Sequence, residues 1–387
     1  YYCFFALALF ATAGVAFSAN LLTLYVFYEL LSLSTYPLVT HNQDDAARTG
    51  GRKYLMYIMG TSIGLVLPAM LYVYSLTGTL EFTEMVDALA AALARGDTSP
   101  GALMLVVICF VFGFAKSGLM PFHSWLPGAM VAPTPVSSLL HAVAVVKVGV
   151  FCVIRVITQV FGMDMMHTLQ VAGVSASMVV ACIACFTLVA SSFIALSQDN
   201  LKRVLAFSTI GQLSFIVLAV ALSHPNTVTA SMIHIAFHAF GKITLFFCAG
   251  AIYVASGKKY ISQMSGLGRK MPITFGAFLI GMMSVIGVPP TAGFLSKWQF
   301  LLGAFEVGGT VFIVCLLLSS LLKAAYFFPI IISAFFGALP EGEEEGVKEA
   351  PLCCVVPLVC TATASVLLFV YPQPFYDLAM LAVESMR

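Results

Sequence analysis

Charge is what this sequence has least of. Only 9% of its 387 residues are Asp, Glu, Lys or Arg, whereas a soluble domain carries about 25%. With 60% hydrophobic residues and a mean hydropathy of +1.01, too little polar surface exists to cover a water-soluble fold. An excess of charge of either sign is also missing. The net charge of +1 leaves no basic surface for nucleic acid, and no nucleic-acid partner is expected. Ten-residue segments of alternating polarity are absent, which argues against a membrane β-barrel. The sequence shows no haem, iron–sulfur or nucleotide motif, so no cofactor is expected. The ten cysteines are scattered through apolar runs. Even the Cys182–Cys185 pair lies in VVACIACFTLV, with no polar support for a metal or redox centre, and reads as soft packing.

What is present is apolar runs of about 20 residues, the length a helix needs to cross ~30 Å of hydrocarbon. The expected fold is therefore an all-α polytopic membrane protein. Eleven crossings are expected, at about 1–18, 20–40, 53–78, 102–131 (broken), 134–160, 167–197, 203–222, 228–256, 272–303 (broken), 309–337 and 351–371. Residues 79–100 read as a short amphipathic helix, residues 339–350 as a solvated acidic loop, and the tail after 371 as an interfacial segment. Alternating the loops places Arg48, Arg52, Lys53, Lys202, Arg203, Lys258, Lys259, Arg269, Lys270 and Lys348 on one side. The other side has Arg95 and Arg387 among Glu81, Glu84, Asp87, Asp97, Asp164 and Glu306. By the positive-inside rule the first side is cytoplasmic, with loops 41–53, 198–203, 257–271 and 338–350 facing the cytoplasm of a cell inner (plasma) membrane.

The chemistry is in the charges that remain inside the apolar runs: Glu29, Lys116, Lys147, Lys242, Lys297 and Lys323, with His141, His234 and His238. Each charge at membrane depth costs at least ~2.5–3.5 kcal/mol, too much for so many to be accidents. Glu29, in YVFYELLSLSTYPLV, suits an ion pair with a lysine such as Lys116, either fixed or breaking during work. Lys116 precedes a helix break at Pro121, a hydratable point where a desolvated lysine can exchange its proton. His234, His238 and Lys242, at i, i+4 and i+8, form one polar stripe about 12 Å long. Such a stripe suits a proton path better than a metal site, because no carboxylate or thiolate accompanies it. His141 and Lys147 share a helix, six residues apart. Lys297 follows the break in GVPPTAGFLSKWQF, the reverse of the order at Lys116. That mirrored order predicts two inverted five-helix repeats, residues 1–160 and 161–337, each with a discontinuous helix, followed by residues 338–387 as an acidic loop, a last crossing and a tail. Lys323, in SSLLKAAYFF, reads equally as packing, as a lipid-facing snorkel or as functional, and Arg155 as a snorkel to the outer interface.

The run GFAKSGLMPFHSWLPGAMVAPTPVSSLLHAVAVVKVGVF resembles the signature of the antiporter-like proton-translocating subunits of complex I (NADH:quinone oxidoreductase), related hydrogenases and multi-subunit Na+/H+ antiporters, whose D-type member is among them. YELLSLSTYPLV, HIAFHAFGKITLFFCAG, SGLGRKMPITF and GVPPTAGFLSKW extend the resemblance, in order, over residues 20–303. The resemblance implies a bundle of two inverted repeats, and about three further helices before Tyr1. It implies that Glu29 and Lys116 form the first half-channel, that His141 and Lys147 continue it, that His234, His238 and Lys242 serve the second half, and that Lys297 ends the line. It also implies proton translocation with other integral membrane subunits as partners, the alternatives being Na+/H+ exchange proper or service in a quinone or hydrogen oxidoreductase. Two departures stand out. Gly128 replaces the Asp that usually follows WLP, and the third crossing, GTSIGLVLPAML, lacks the Asp of the largest complex I subunit.

Overall fold

The structure, a computed structural model, describes residues 1–338 and 347–386. Most of the expected acidic loop, residues 339–346, and the terminal Arg387 lie outside the described residues. The helices are α1 (Tyr2–Ala16), α2 (Leu21–Val39), α3 (Asp45–Thr77), α4 (Phe82–Arg95), α5 (Pro100–Gly113), α6 (Trp125–Gly128), α7 (Thr134–Phe161) and α8 (Met163–Thr168). There follow α9 (Ala176–Leu196), α10 (Leu201–Ala221), α11 (Pro225–Ser256), α12 (Pro272–Ile286), α13 (Ala292–Glu306), α14 (Thr310–Phe336), α15 (Leu352–Val370) and α16 (Gln373–Glu384). Among the described residues eight helices are long and apolar enough to cross a membrane, and α1, α5 and α12 are shorter apolar helices. Taken with the second arms of the two broken helices, they make up the eleven expected crossings. Large apolar side chains in mid-helix, such as Phe186, Leu321 and Leu367, are 61–68% exposed, a surface that only lipid or protein neighbours can cover.

Two boundaries differ from expectation. α3 starts at Asp45, eight residues before the expected 53, because Asp44 caps it by accepting from the Ala47 amide at 2.6 Å. α9 starts at Ala176; the residues before it form a small hairpin, Gln170–Val171 against Val174–Ser175. The amphipathic helix expected at 79–100 is α4, and the tail is the helix α16.

One pattern of hydrogen bonds occurs twice, on opposite sides of the bundle. Asn20 caps α2 by accepting from the Thr23 amide, and Asn200 caps α10 by accepting from Arg203. Asn20 pairs antiparallel with Glu81, through Leu21 N–H to Leu80 C=O (2.9 Å) and Phe82 N–H to Ala19 C=O (3.4 Å). Asn200 pairs with Tyr260 in the same register, through Leu201 N–H to Lys259 C=O (3.1 Å) and Ile261 N–H to Asp199 C=O (2.8 Å). Five crossings separate the two caps, an odd number, so they face opposite ways. This is the signature of an inverted repeat.

Both expected helix breaks are present. After α5 the chain makes a single tight turn at Ala115–Ser117, and Gly118 turns it at φ +71° before α6. After α12, Gly287 turns it at φ +86° ahead of Pro289–Pro290. Helix α7 crosses the first break at Gly149, where any Cβ would run into the backbone of Lys116 and Ser117. At Gly287 a Cβ would instead occupy the space taken by the Lys297 side chain.

Candidate functional site

The five lysines of the apolar runs all point inward: Lys116, Lys242 and Lys323 are fully buried, and Lys147 and Lys297 are 6% exposed. For Lys323 this excludes the lipid-facing snorkel. Its ammonium rests on the hydroxyl of Ser319, which also bonds Ser192 of α9 at 2.8 Å, so a neighbouring helix closes over it. His141, His234 and His238 are buried as well. Arg155, by contrast, is tethered near the helix end, donating to Ser18 C=O at 2.9 Å with its guanidinium 4.1 Å over Phe82.

The environment of Lys116 differs from the ion pair anticipated with Glu29. No ion pair joins them. The Lys116 ammonium donates to Tyr28 C=O (2.6 Å) and Ser32 Oγ (2.7 Å), and lies 3.2 Å from the centre of the Tyr28 ring. Glu29, the next residue on α2, keeps both carboxylate oxygens enclosed and without a hydrogen bond among the described residues. The physical reason is the tight turn at Ala115–Ser117, which sets the Lys116 side chain against the Tyr28–Ser32 turn of α2, where carbonyl, hydroxyl and ring face converge.

The second-half lysines use the same kind of cradle. Lys242 donates to Leu205 C=O (3.0 Å) and Ser208 Oγ (2.7 Å) on α10. Lys297 donates to Val285 C=O (3.1 Å), Ile286 C=O (2.5 Å) and Ser320 Oγ (3.0 Å). The two carbonyls of Val285 and Ile286 belong to the C-terminal end of α12, whose dipole is negative there, so the break itself supplies the counter-charge. Lone dipoles hold an ammonium less firmly than a carboxylate would, and they remain acceptable neighbours after the proton has left.

Between these cradles runs a chain of direct contacts. Lys147 Nζ touches His238 Nδ1. The His238 ring stacks on His234, centroids 5.6 Å apart and planes 11° from parallel. His234 Nδ1 meets Ser296 Oγ at 2.6 Å, and its Nε2 meets Gln212 Oε1 at 2.8 Å. Gln212 in turn donates through Nε2 to Val285 C=O at 2.6 Å, the same carbonyl that accepts from Lys297. Because the amide nitrogen of Gln212 is committed to a carbonyl, its oxygen must face His234, and His234 Nε2 must carry a proton. Ser296 also reaches Gly293 C=O at 3.2 Å. Its hydroxyl can donate to a bare Nδ1, or turn to Gly293 and accept from a protonated one. The shell of His234 thus accommodates both protonation states without moving.

His141 stands beside this chain. Its ring packs on Phe246, centroids 4.8 Å apart, and neither nitrogen has a hydrogen-bond partner among the described residues. The π turn at Leu139–Val143 sets the phase between His141 and Lys147 on α7. Lys242 shares α11 with the two histidines but bonds α10 instead. No direct hydrogen bond among the described residues joins Lys116 to His141 or Lys147. The residues that sequence reasoning passed over are the neutral ones: Gln212, Ser32, Ser208, Ser296 and Ser320. A buried Gln in an otherwise apolar helix was the only available signal. No group of three or more His, Cys, Asp or Glu is placed to hold a metal ion among the described residues.

Comparison with known proteins identifies the family and the fold. Residues 18–323 match the family model described as NADH:quinone oxidoreductase/Mrp antiporter, TM. NADH-quinone oxidoreductase subunit N of Desulforudis audaxviator (strain MP104C) is 34% identical, over 91% of this chain and 68% of its own length. The NAD(P)H-quinone oxidoreductase chain 5 of Synechocystis sp. (strain ATCC 27184 / PCC 6803 / Kazusa) is 33% identical, over 89% of this chain and 50% of its own length. A chain in the solved structure of the Mrp complex from Dietzia sp. DQ12-45-1b has the same fold, with a TM-score of 0.84 and 21% identity over 99% of this chain and 77% of that one. This chain therefore spans about two thirds of the length of one curated relative and half of the other. The matched segment runs from the residues just before the Asn20 cap to Lys323 and contains every lysine and histidine of the buried line, so the chain belongs to the NADH:quinone oxidoreductase/Mrp antiporter transmembrane family.

Proposed function

We propose that this chain translocates protons as an antiporter-like subunit of a larger membrane complex, along the buried line Lys116, His141, Lys147, His238, His234, Lys297, with Lys242 as a side station and Glu29 as the regulator of Lys116. The observation that carries this reading is the run of contacts from Lys147 through the stacked histidines, Ser296 and Gln212 to the carbonyl shared with Lys297, hydrogen-bonded at every step but the His238–His234 stack, where water carries the proton. Every side chain on it titrates or is a neutral donor–acceptor. The run lies across the helices rather than along one of them, so it links the two inverted halves, which we divide at residues 1–160 and 161–337.

In this scheme Glu29 sets the proton affinity of Lys116. With the carboxylate against it, Lys116 holds its proton. With the two apart, as they stand here, the dipole cradle of Tyr28 and Ser32 holds the ammonium more weakly and Lys116 can release the proton toward His141 or Lys147. Water carries the proton over the gap between the Lys116 ammonium and the side chains of His141 and Lys147. Lys147 then passes it to His238 Nδ1. The driving force comes from partners, other integral membrane subunits, through an ion gradient or a quinone or hydrogen reaction. On the positive-inside rule, this reading puts the lysine-rich side in the cytoplasm and the protein in the plasma membrane; the excess of Lys and Arg on that side is what supports it.

Replacing Lys116 with Ala is expected to abolish proton flux in vesicles while the complex still assembles. Unchanged flux would sink the proposal. Direct sodium binding finds little support, since Na+ wants oxygen ligands and Glu29 is the only acid in the apolar core among the described residues. Sodium-dependent flux that disappears in Glu29→Gln would favour exchange proper instead.

A further inference from the structure

On the lysine-rich side of the bundle lies a cavity of about 710 Å³, well within the range of ligand sites. It is framed by the start of α7 at Thr134, the start of α10, the end of α11 and the start of α15. None of the residues of the buried line borders it. Three lysines do, Lys202, Lys258 and Lys259, and no acidic side chain among the described residues. Two helix N-termini open into it as well, α10 at Asn200–Leu201 and α15 at Cys353–Cys354, each adding the positive end of a helix dipole.

Away from the lysines the wall is apolar, with Phe247, Val254, Met264 and Pro357. Its outer edge is formed by Tyr253 and Val254, which are 45% and 59% exposed on the flank of α11. Lys259 sits 5.0 Å over the Tyr253 ring, so a cation marks the boundary between the apolar wall and the polar mouth. Lys202 directs one of its three N–H donors to Ala132 C=O at 3.1 Å, which fixes its position and leaves two donors.

A soluble anion would need the charges but not the exposed apolar flank. A neutral lipid would need the flank but not Lys202 and Lys259. We infer that the cavity is a binding site for an anionic phospholipid of the surrounding bilayer, with its phosphate held by Lys202 and Lys259 and its acyl chains laid against Phe247, Val254 and Pro357. The lysines then have two tasks, since the residues that bias the topology also hold a lipid between the helix that carries His234 and His238 and the last crossing. Anionic headgroups attract clustered lysines at this depth, and the attraction adds to the burial of the chains.

The test is native mass spectrometry of the detergent-purified complex titrated with phosphatidylglycerol or with phosphatidylcholine of the same chains, each with and without inorganic phosphate. Wild type is expected to retain phosphatidylglycerol at least about tenfold better than phosphatidylcholine, with no competition from phosphate. The K202Q/K259Q variant is expected to lose that preference, and Val254→Trp, at an exposed position that folding tolerates, to weaken both lipids. Equal retention of the two lipids by wild type, an undiminished preference in the double variant, or displacement by phosphate would each overturn the proposal.

Discussion

At the residue scale, the ammonium groups of Lys116, Lys242, Lys297 and Lys323 are solvated by backbone carbonyls and serine hydroxyls, whereas that of Lys147 rests on His238. A charged hydrogen bond of this kind contributes ~1.5–3 kcal/mol, enough together to offset much of the cost of membrane depth without locking the proton in place. Gln212 has the most specific task, because its amide fixes which nitrogen of His234 is always protonated. Gln212→Leu leaves that N–H facing an apolar wall, at a cost of ~1–3 kcal/mol. The expected outcome is a lowered unfolding temperature in detergent together with a large loss of proton flux; full flux would mean that the histidine needs no such orientation. The lysines and histidines were legible in the sequence because a charge in an apolar run is conspicuous. Gln212 and the serines were not, since hydroxyls on membrane helices usually satisfy themselves on their own helix, as Ser32 also does on Tyr28 C=O. The burial of Lys323 was equally illegible, because it depends on Ser192 of a distant segment closing over it.

At the element scale, the breaks work because another helix can approach them. Gly149 lets α7 lie directly on the Lys116 turn. Gly149→Ala forces the two apart, at ~1–3 kcal/mol for overpacking, and shifts Lys116 from its cradle on α2. Reduced flux at near-normal assembly is the expected result, and a variant with wild-type flux would show that the close approach is only packing. The paired caps make a second prediction. Asn20→Ala and Asn200→Ala each remove a side-chain acceptor at an equivalent helix start, and each should cost ~1 kcal/mol, read as similar shifts in thermal unfolding. A shift in one and none in the other would argue against equivalence of the two halves. Prolines and glycines made both breaks readable from the sequence. The start of α3 was not, because residues 45–53 are charged and look like loop until Asp44 is recognised as a cap. The hairpin before α9 was hidden inside an apolar run for the opposite reason.

At the scale of the whole molecule, two inverted halves meet where Lys147 of α7 touches His238 of α11. The crossing count was legible because apolar runs of about twenty residues are set apart by short charged segments. The joint was not, since contact between residues 91 positions apart leaves no local trace. If the joint carries protons, Lys147→Ala and His238→Ala each stop transfer, and the double variant is no worse than either one, the non-additivity expected of residues acting as a unit. The central claim is that Lys147 must release its proton, and Lys147→Arg isolates that step, since it keeps the positive charge but an arginine does not deprotonate in a protein. The measurement is proton uptake into vesicles containing the assembled complex under an imposed membrane potential, followed by a pH-sensitive dye. Uptake in Lys147→Arg is predicted to fall to the level of empty vesicles, while uptake at the wild-type rate would show that charge alone is needed and contradict the account.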